Sequence, residues 1–192
     1  MSTQEFWSKE GGDAYTLRNA NVDWRARTKF WRDTIPADVL SVFECGTNVG
    51  ANLRAIRACR AVQVRGIELN QSAVDAARGL GLHVMQQDLM SAGLMWDRPD
   101  ADLTFTCGVL IHMSPEQIGD AMEQVAALSR KYVMAVEYMD ETEVMVNYRG
   151  SDDLLWRRNY GKLYEDMGLR VVRRGDAGEG FDKCGWVLCS KG

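Results

Sequence analysis

The run Val42-Phe43-Glu44-Cys45-Gly46-Thr47-Asn48-Val49-Gly50 constrains this chain more than any other. A short apolar strand ends in an acid, the chain turns on glycines, and a helix-like segment comes next. Gly66-Ile67-Glu68-Leu69-Asn70 then repeats the pattern of a strand closed by an acid, at the roughly 20-residue spacing of a nucleotide-binding crevice. Gly46 and Gly50 lack the Cβ that keeps a backbone away from a ligand, and the turn delivers that ligand to a helix start with free N–H groups. The carboxylate of Glu68 then stands where it accepts hydrogen bonds from both ribose hydroxyls. A glycine-containing strand-to-helix turn alone occurs in many proteins, so the second acid and the later strands of the chain carry the reading.

Composition narrows the classes. At 192 residues, with 46% hydrophobic and 26% charged, the chain has the size and balance of one globular domain, residues 1–192. Apolar runs fall far short of the roughly 20 residues that span a bilayer, and the start MSTQEFWSKEGGDAY has no basic segment leading into an apolar one. A cytoplasmic protein with no membrane partner is expected. The five cysteines form no Cys-x-x-Cys pair and are odd in number, so they read as reduced thiols, mostly core, with neither disulfides nor a metal site. A net charge of -4 gives no general reason to bind nucleic acid or an anionic membrane.

Strands and helices alternate along the chain. Residues 39–45 read as a buried strand, 48–61 as a helix, 64–69 as a second strand, and Asn70 as the N-cap of a helix ending at Gly79. Residues 83–87 form a third strand ending at Asp88, and 101–107 a fourth. Ser114-Pro115-Glu116-Gln117 opens the next helix with capping-box spacing, and 132–138 form a fifth strand. Ser151-Asp152-Asp153 is expected to cap a helix with the stripe Trp156, Tyr160, Leu163 and Met167. The last two strands, 169–174 and 186–190, are joined by turn residues and no helix, which predicts an antiparallel hairpin at the edge of a mostly parallel sheet. Residues 1–38 hold Phe6, Trp7, Tyr15, Trp24, Phe30 and Trp31, too aromatic for a disordered tail, and are expected to form helices that close over the crevice.

The order of strands, the glycine turn, the acid ending the second strand, the Gln87-Asp88-Leu89 step and the final hairpin together resemble the class I methyltransferases that use S-adenosylmethionine. More narrowly, FWSKEGGDAYTLRN, GTNVGANLRAI, GVLIHMSPE and EYMD followed by NYRGSDDLLWRRNYG resemble the small methylases associated with pseudaminic acid biosynthesis. The resemblance implies a Rossmann-like α/β fold with a seven-stranded sheet, a helical lid over residues 1–38 and a core over 39–192. It implies S-adenosylmethionine as cofactor. Glu44, Gly46, Thr47, Asn48 and Gly50 fall on its loop, with Asn52 and Leu53 just beyond; Asn48 replaces a common glycine, and asparagine tolerates left-handed backbone. By the same carry-over Glu68 holds the ribose beside Leu69 and Asn70, Asp88, Leu89 and Met90 meet the adenine, and Cys107, Gly108, Val109 and His112 line the methionine end. Tyr15 and Arg18 close over the cofactor, Arg18 pairing with its carboxylate.

Methyl transfer needs alignment with an already electrophilic carbon and, for a hydroxyl or protonated amine, removal of a proton. His112, in a loop after the fourth strand, is the candidate base, and Glu137 and Tyr138 at the end of the fifth strand are alternatives; His83 reads as structural. Tyr148 and Arg149 are the candidate acceptor contacts, whereas Arg157 and Arg158 read as a solvated helix face. No Asp-Pro-Pro-Tyr or Asn-Pro-Pro-Tyr run comes after strand four, which disfavours base methylation. The expected function is methylation of a hydroxyl or amine on a small polar, sugar-like or acidic metabolite, by a monomer or homodimer. Alternatives are a nicotinamide-dependent oxidoreductase, a non-catalytic S-adenosylmethionine-binding module, and methylation of a protein or nucleic acid.

Overall fold

The computed structural model describes residues 3–95, 101–147 and 154–192. Helices α1 (Thr3–Ser8), α2 (Glu10–Asn19) and α3 (Thr28–Thr34) precede the sheet. Then come β1 (Ser41–Cys45), α4 (Ala51–Cys59), β2 (Gln63–Glu68), α5 (Gln71–Gly79), β3 (His83–Gln86) and β4 (Ala101–Cys107). The chain continues with α6 (Ile118–Ala127), β5 (Ser129–Glu137), the short β6 (Val144–Met145) and β7 (Trp156–Arg157), α7 (Tyr160–Asp166), β8 (Arg170–Asp176) and β9 (Gly185–Ser190).

The main sheet runs β3-β2-β1-β4-β5-β9-β8, parallel through β5, with β9 antiparallel to both β5 and β8. This Rossmann-like sheet with a terminal antiparallel pair matches the expected architecture. Its strand order reverses between β1 and β4, and that is where an open α/β sheet forms a crevice. Both faces of β1 and β4 are covered, so even the polar Glu44, Thr104 and Thr106 on these strands are buried. Alternate residues divide between two cores: Val42, Leu103, Phe105, Met134 and Val136 pack with α3, α4 and α5, whereas Phe43, Val133 and Ala135 pack with α6 and α7.

Several boundaries differ from the sequence reading. The helix after β1 starts at Ala51 rather than Asn48, because Asn48 (φ 47°) and Gly50 (φ 83°) both hold left-handed backbone that no helix accepts. The helix after Pro115 starts at Ile118: Ser114 Oγ donates to the Glu116 carboxylate, and only the return bond from Ser114 N to Gln117 Oε1 resembles a capping box. The helix expected from residue 151 is corrected. Its proposed cap lies outside the described residues, Trp156–Arg157 is a strand paired with β6, and the helix begins at Tyr160, where Asn159 Oδ1 accepts from Lys162 N at 3.0 Å.

The amino-terminal helices do two different jobs. α3 is core: Phe30 and Trp31 are buried, and the Trp31 ring packs at a tilt against Phe105 of β4. α2 lies across the start of α5, where Asp13 Oδ1 accepts from Asn70 Nδ2 at 3.0 Å and Ser72 Oγ at 2.8 Å. Gly12 permits this approach, since a Cβ there would stand 2.6 Å from Asn70 Nδ2.

Candidate active site

A cavity of about 330 Å³ opens at the carboxyl ends of β1, β2 and β4, roofed by α2. Its floor is built by the glycine turn. Gly46 (φ 78°) packs so tightly that a Cβ would lie 2.3 Å from Val109 Cγ2, and Asn48 donates its N–H to Glu68 Oε2 at 2.7 Å. Glu68 Oε1 accepts from Asn70 N at 2.9 Å, so one carboxylate ties the β1 turn to the start of α5. Burial nevertheless pushes the Glu68 acid up from its ordinary range.

Glu44, at the end of β1, is buried and is pushed up to about 8, chiefly by burial. Asn52 Nδ2 donates to its Oε1 at 2.7 Å, while Oε2 has no hydrogen-bond partner. Asn52 Oδ1 in turn accepts from Arg27 Nη1 at 2.8 Å and Trp31 Nε1 at 3.3 Å. Arg27 also donates to Gly180 O at 2.8 Å and lies over the Phe181 ring. The amino-terminal segment therefore brings a guanidinium next to a buried acid with an unused oxygen, a pair suited to a zwitterion.

The β4 side is apolar with a few polar groups. His112 Nδ1 lies 2.6 Å from Leu154 O, a geometry in which Nδ1 carries the proton and the lone pair is on Nε2. Its ring stands 4.5 Å from that of Trp7, and burial lowers its pKa to about 4, so it is neutral at pH 7. Tyr138 Oη donates to Asp182 Oδ2, and burial together with that carboxylate raises the phenol well above its usual value. Burial also pushes the Cys107 thiol up to about 12, which keeps it protonated.

The cavity brings together Tyr15, Glu44, Gly46, Thr47, Asn48, Asn52, Glu68, Leu69, Asn70, Asp88, Leu89, Met90, Cys107, Gly108, Val109, His112 and Tyr138. Four expected residues do not line it. Arg18 is exposed beside Tyr15 on the outer side of α2, and Leu53 faces the core. Gly50 packs on Leu82, 2.1 Å from where a Cβ would be, so its glycine serves the fold. Glu137 is wholly buried beneath the loop after β4. Tyr148 and Arg149 lie outside the described residues. Arg158 is not a solvated helix residue: it is 2% exposed, pairs with Glu143 and donates to Leu110 O at 3.3 Å, while Arg157 pairs with Asp140 at 3.2 Å. Trp7, from the segment expected to close over the crevice, lines it as well, whereas sequence reasoning missed Arg27, Phe181, Asp182 and Cys184 as lining residues. The mixed aromatic and cationic character of WRARTKFW marked the segment without singling out Arg27.

These shifts make the stability of the free protein depend on pH. Glu44 and Glu137 hold protons in the fold to about 8 and about 7, against 4.5 unfolded, so their contribution is fully present below pH 4.5 and is lost as pH rises through those values. His112, lowered from 6.5 to about 4, acts oppositely, contributing above pH 6.5 and losing that as pH falls. Between pH 6.5 and 8.5 the buried carboxylates carry most of the change. Each unit of pH there costs about 1.4 kcal/mol per acid still protonated in the fold. Differential scanning calorimetry is expected to show Tm falling by on the order of 5 °C between about pH 6.5 and 8.5.

No family model and no curated protein matches the sequence. Solved structures do. The chain is similar to magnesium protoporphyrin IX methyltransferase of Synechocystis PCC 6803 with bound S-adenosylmethionine, at 15% identity and TM-score 0.70, covering 100% of this chain and 98% of that one. It is similar to Burkholderia thailandensis 1,6-didemethyltoxoflavin-N1-methyltransferase with bound 1,6-didemethyltoxoflavin and S-adenosylhomocysteine, at 13% identity and TM-score 0.71, covering 98% and 86%. With human N-acetylserotonin methyltransferase in complex with S-adenosylmethionine the identity is 14% and the TM-score 0.72, covering 97% of this chain and 58% of that one. What is shared at these identities is the fold, that of the class I methyltransferases.

Proposed function

We propose that this protein transfers a methyl group from S-adenosylmethionine to a hydroxyl or amine of a small polar molecule. The observation that carries the reading is Glu44 Oε2, a buried cavity oxygen without a partner, on the strand beside the one that ends in Glu68. An isolated buried carboxylate is costly, and a ligand ammonium supplies the missing N–H donor. The site fits the rest of that cofactor: Arg27 for its carboxylate, Glu68 for the ribose hydroxyls, Asp88, Leu89 and Met90 for the adenine. When bound, the cofactor supplies an electrophilic methyl carbon. The chain's own residues hold it, exclude water beneath α2, and present the His112 lone pair toward the acceptor for proton removal.

The acceptor is taken as a sugar-like or acidic metabolite, with Tyr148 and Arg149 as the proposed contacts at the acceptor end. Among the described residues there, the charged side chain is Asp182, hydrogen-bonded to Tyr138, and the expected cation Arg149 is not described. The sequence motifs of residues 6–19 and 147–161 support a narrower assignment to the methylases associated with pseudaminic acid biosynthesis, acting in the cytoplasm as one domain of residues 1–192, with α1 and α2 as the lid. Among the described residues no helix is long and apolar enough to cross a membrane.

Calorimetry tests the cofactor. Glu44 enters the complex from a largely protonated state, so binding of S-adenosylmethionine at pH 7 is expected to release a proton, giving a heat that changes with buffer ionisation enthalpy. Adenosine, which lacks the ammonium, is expected to bind without that release. No binding of S-adenosylmethionine to folded protein refutes the proposal.

A further inference from the structure

We infer that Glu137 is a positioning residue, whose carboxylate holds the turn after β4 so that His112 meets the acceptor in one tautomer. The inference rests on the proposed function only in taking His112 as the group facing the acceptor. Three consecutive backbone N–H groups converge on this side chain: Val109 N and Leu110 N on Oε1, each at 3.2 Å, and Ile111 N on Oε2 at 3.4 Å. The next residue is His112. From the other side Arg158 donates to Leu110 O, and His112 itself donates to Leu154 O. The turn is thus held between a buried carboxylate on β5 and the segment around β7, and a change at either end rotates the imidazole.

An acid is an expensive way to fix a loop, because its charge is desolvated. The surroundings show what the charge adds. The Thr106 hydroxyl on β4 stands beside Glu137, and Tyr160 and Tyr164 on α7 lie within reach of its field. The buried oxygens Thr106 Oγ1, Tyr160 Oη and Tyr164 Oη have no hydrogen bond of good geometry, nor has Arg158 Nη2. The thiols of Cys107 and Cys184 are the remaining titratable groups that sense it. Ionised, Glu137 offers both oxygens to the three N–H groups. Protonated, it carries one O–H beside the Thr106 hydroxyl, and its oxygens become weaker acceptors. Burial raises Glu137 to about 7, whereas His112 titrates at about 4, so the two events are separable.

Nitrogen–proton correlation spectra of the imidazoles test this on the full chain, which has two histidines, and His83→Gln assigns the His112 signals. The expected wild-type result is a fixed Nδ1–H tautomer at high pH and a step in the His112 shifts near pH 7, far above the ring's own titration. Glu137→Gln is expected to abolish that step, mix the tautomers and move the ring titration from about 4 toward 6.5, with the circular dichroism spectrum unchanged. Identical His112 tautomer and titration in wild type and Glu137→Gln overturn the inference. If Glu137→Gln does not fold, Glu137→Asp, whose shorter side chain draws the carboxylate back from the three N–H groups, decides: a His112 tautomer and titration identical to wild type overturn the inference. Neither measurement needs cofactor or acceptor, so a protein that fails to bind S-adenosylmethionine refutes the proposed function without touching this result.

Discussion

Glu68→Ala is expected to weaken S-adenosylmethionine binding by about 100-fold while leaving the protein folded. Two hydrogen bonds from ribose hydroxyls to a carboxylate disappear, at about 1.5 kcal/mol or more each, and every 1.4 kcal/mol is tenfold in affinity. The substitution also frees the N–H groups of Asn48 and Asn70, which Glu68 holds at 2.7 Å and 2.9 Å. The glycine turn then loses its register with the start of α5. The helix itself persists, because Asn70 Oδ1 still caps Ala73 N at 3.0 Å. Glu68→Gln, which retains one acceptor oxygen, is expected to fall between wild type and Glu68→Ala. Calorimetric titration alongside circular dichroism measures both effects, and an affinity unchanged in Glu68→Ala removes the ribose role.

The legible part of this site is the part written into strand ends. Glu44, Gly46 and Glu68 sit at fixed places on β1, its turn and β2, and the β-α-β pattern alone brings them together. Asn48 was legible as well: the left-handed angle that asparagine tolerates is the one observed, φ 47°. Glu137 was readable only by carrying the period of two to its end. Val133 and Ala135 face the α6–α7 core, so residue 137 points the same way, under the loop, and Tyr138 takes the rim. Arg27 was not legible. Several cations occur before residue 39, and local pattern does not say which one the packing of α3 turns toward Asn52. Phe181 and Asp182 belong to the connection between β8 and β9, which bends back over the crevice because Gly180 O meets Arg27 Nε. A contact separated by 153 residues leaves no mark in a local window.

That distinction between cover and core separates two tryptophans of the amino-terminal segment. Trp31→Ala is expected to destabilise the fold by about 3–5 kcal/mol, the range for truncating a buried aromatic. Trp31 is fully buried, meets Phe30 edge-to-face and Phe105 at a tilt, at ring distances of 4.9 Å and 4.5 Å, and joins β4 to α3. For a chain of this size each kcal/mol moves Tm by roughly 2–4 °C, so a fall on the order of 10 °C is expected by scanning calorimetry. Trp7 also touches aromatic rings, Tyr15 and His112, but it packs on the cavity side of the amino-terminal helices, away from both cores. Trp7→Ala is therefore expected to cost about 1 kcal/mol or less in stability, the scale of substitutions outside a packed core. Its larger effect falls on binding, because the cover over the cavity and the ring beside His112 are lost together. If Trp7→Ala lowers Tm as much as Trp31→Ala, the first two helices belong to the core and do not act as a lid. If Trp31→Ala leaves Tm within a few degrees, α3 does not close the sheet as its burial requires.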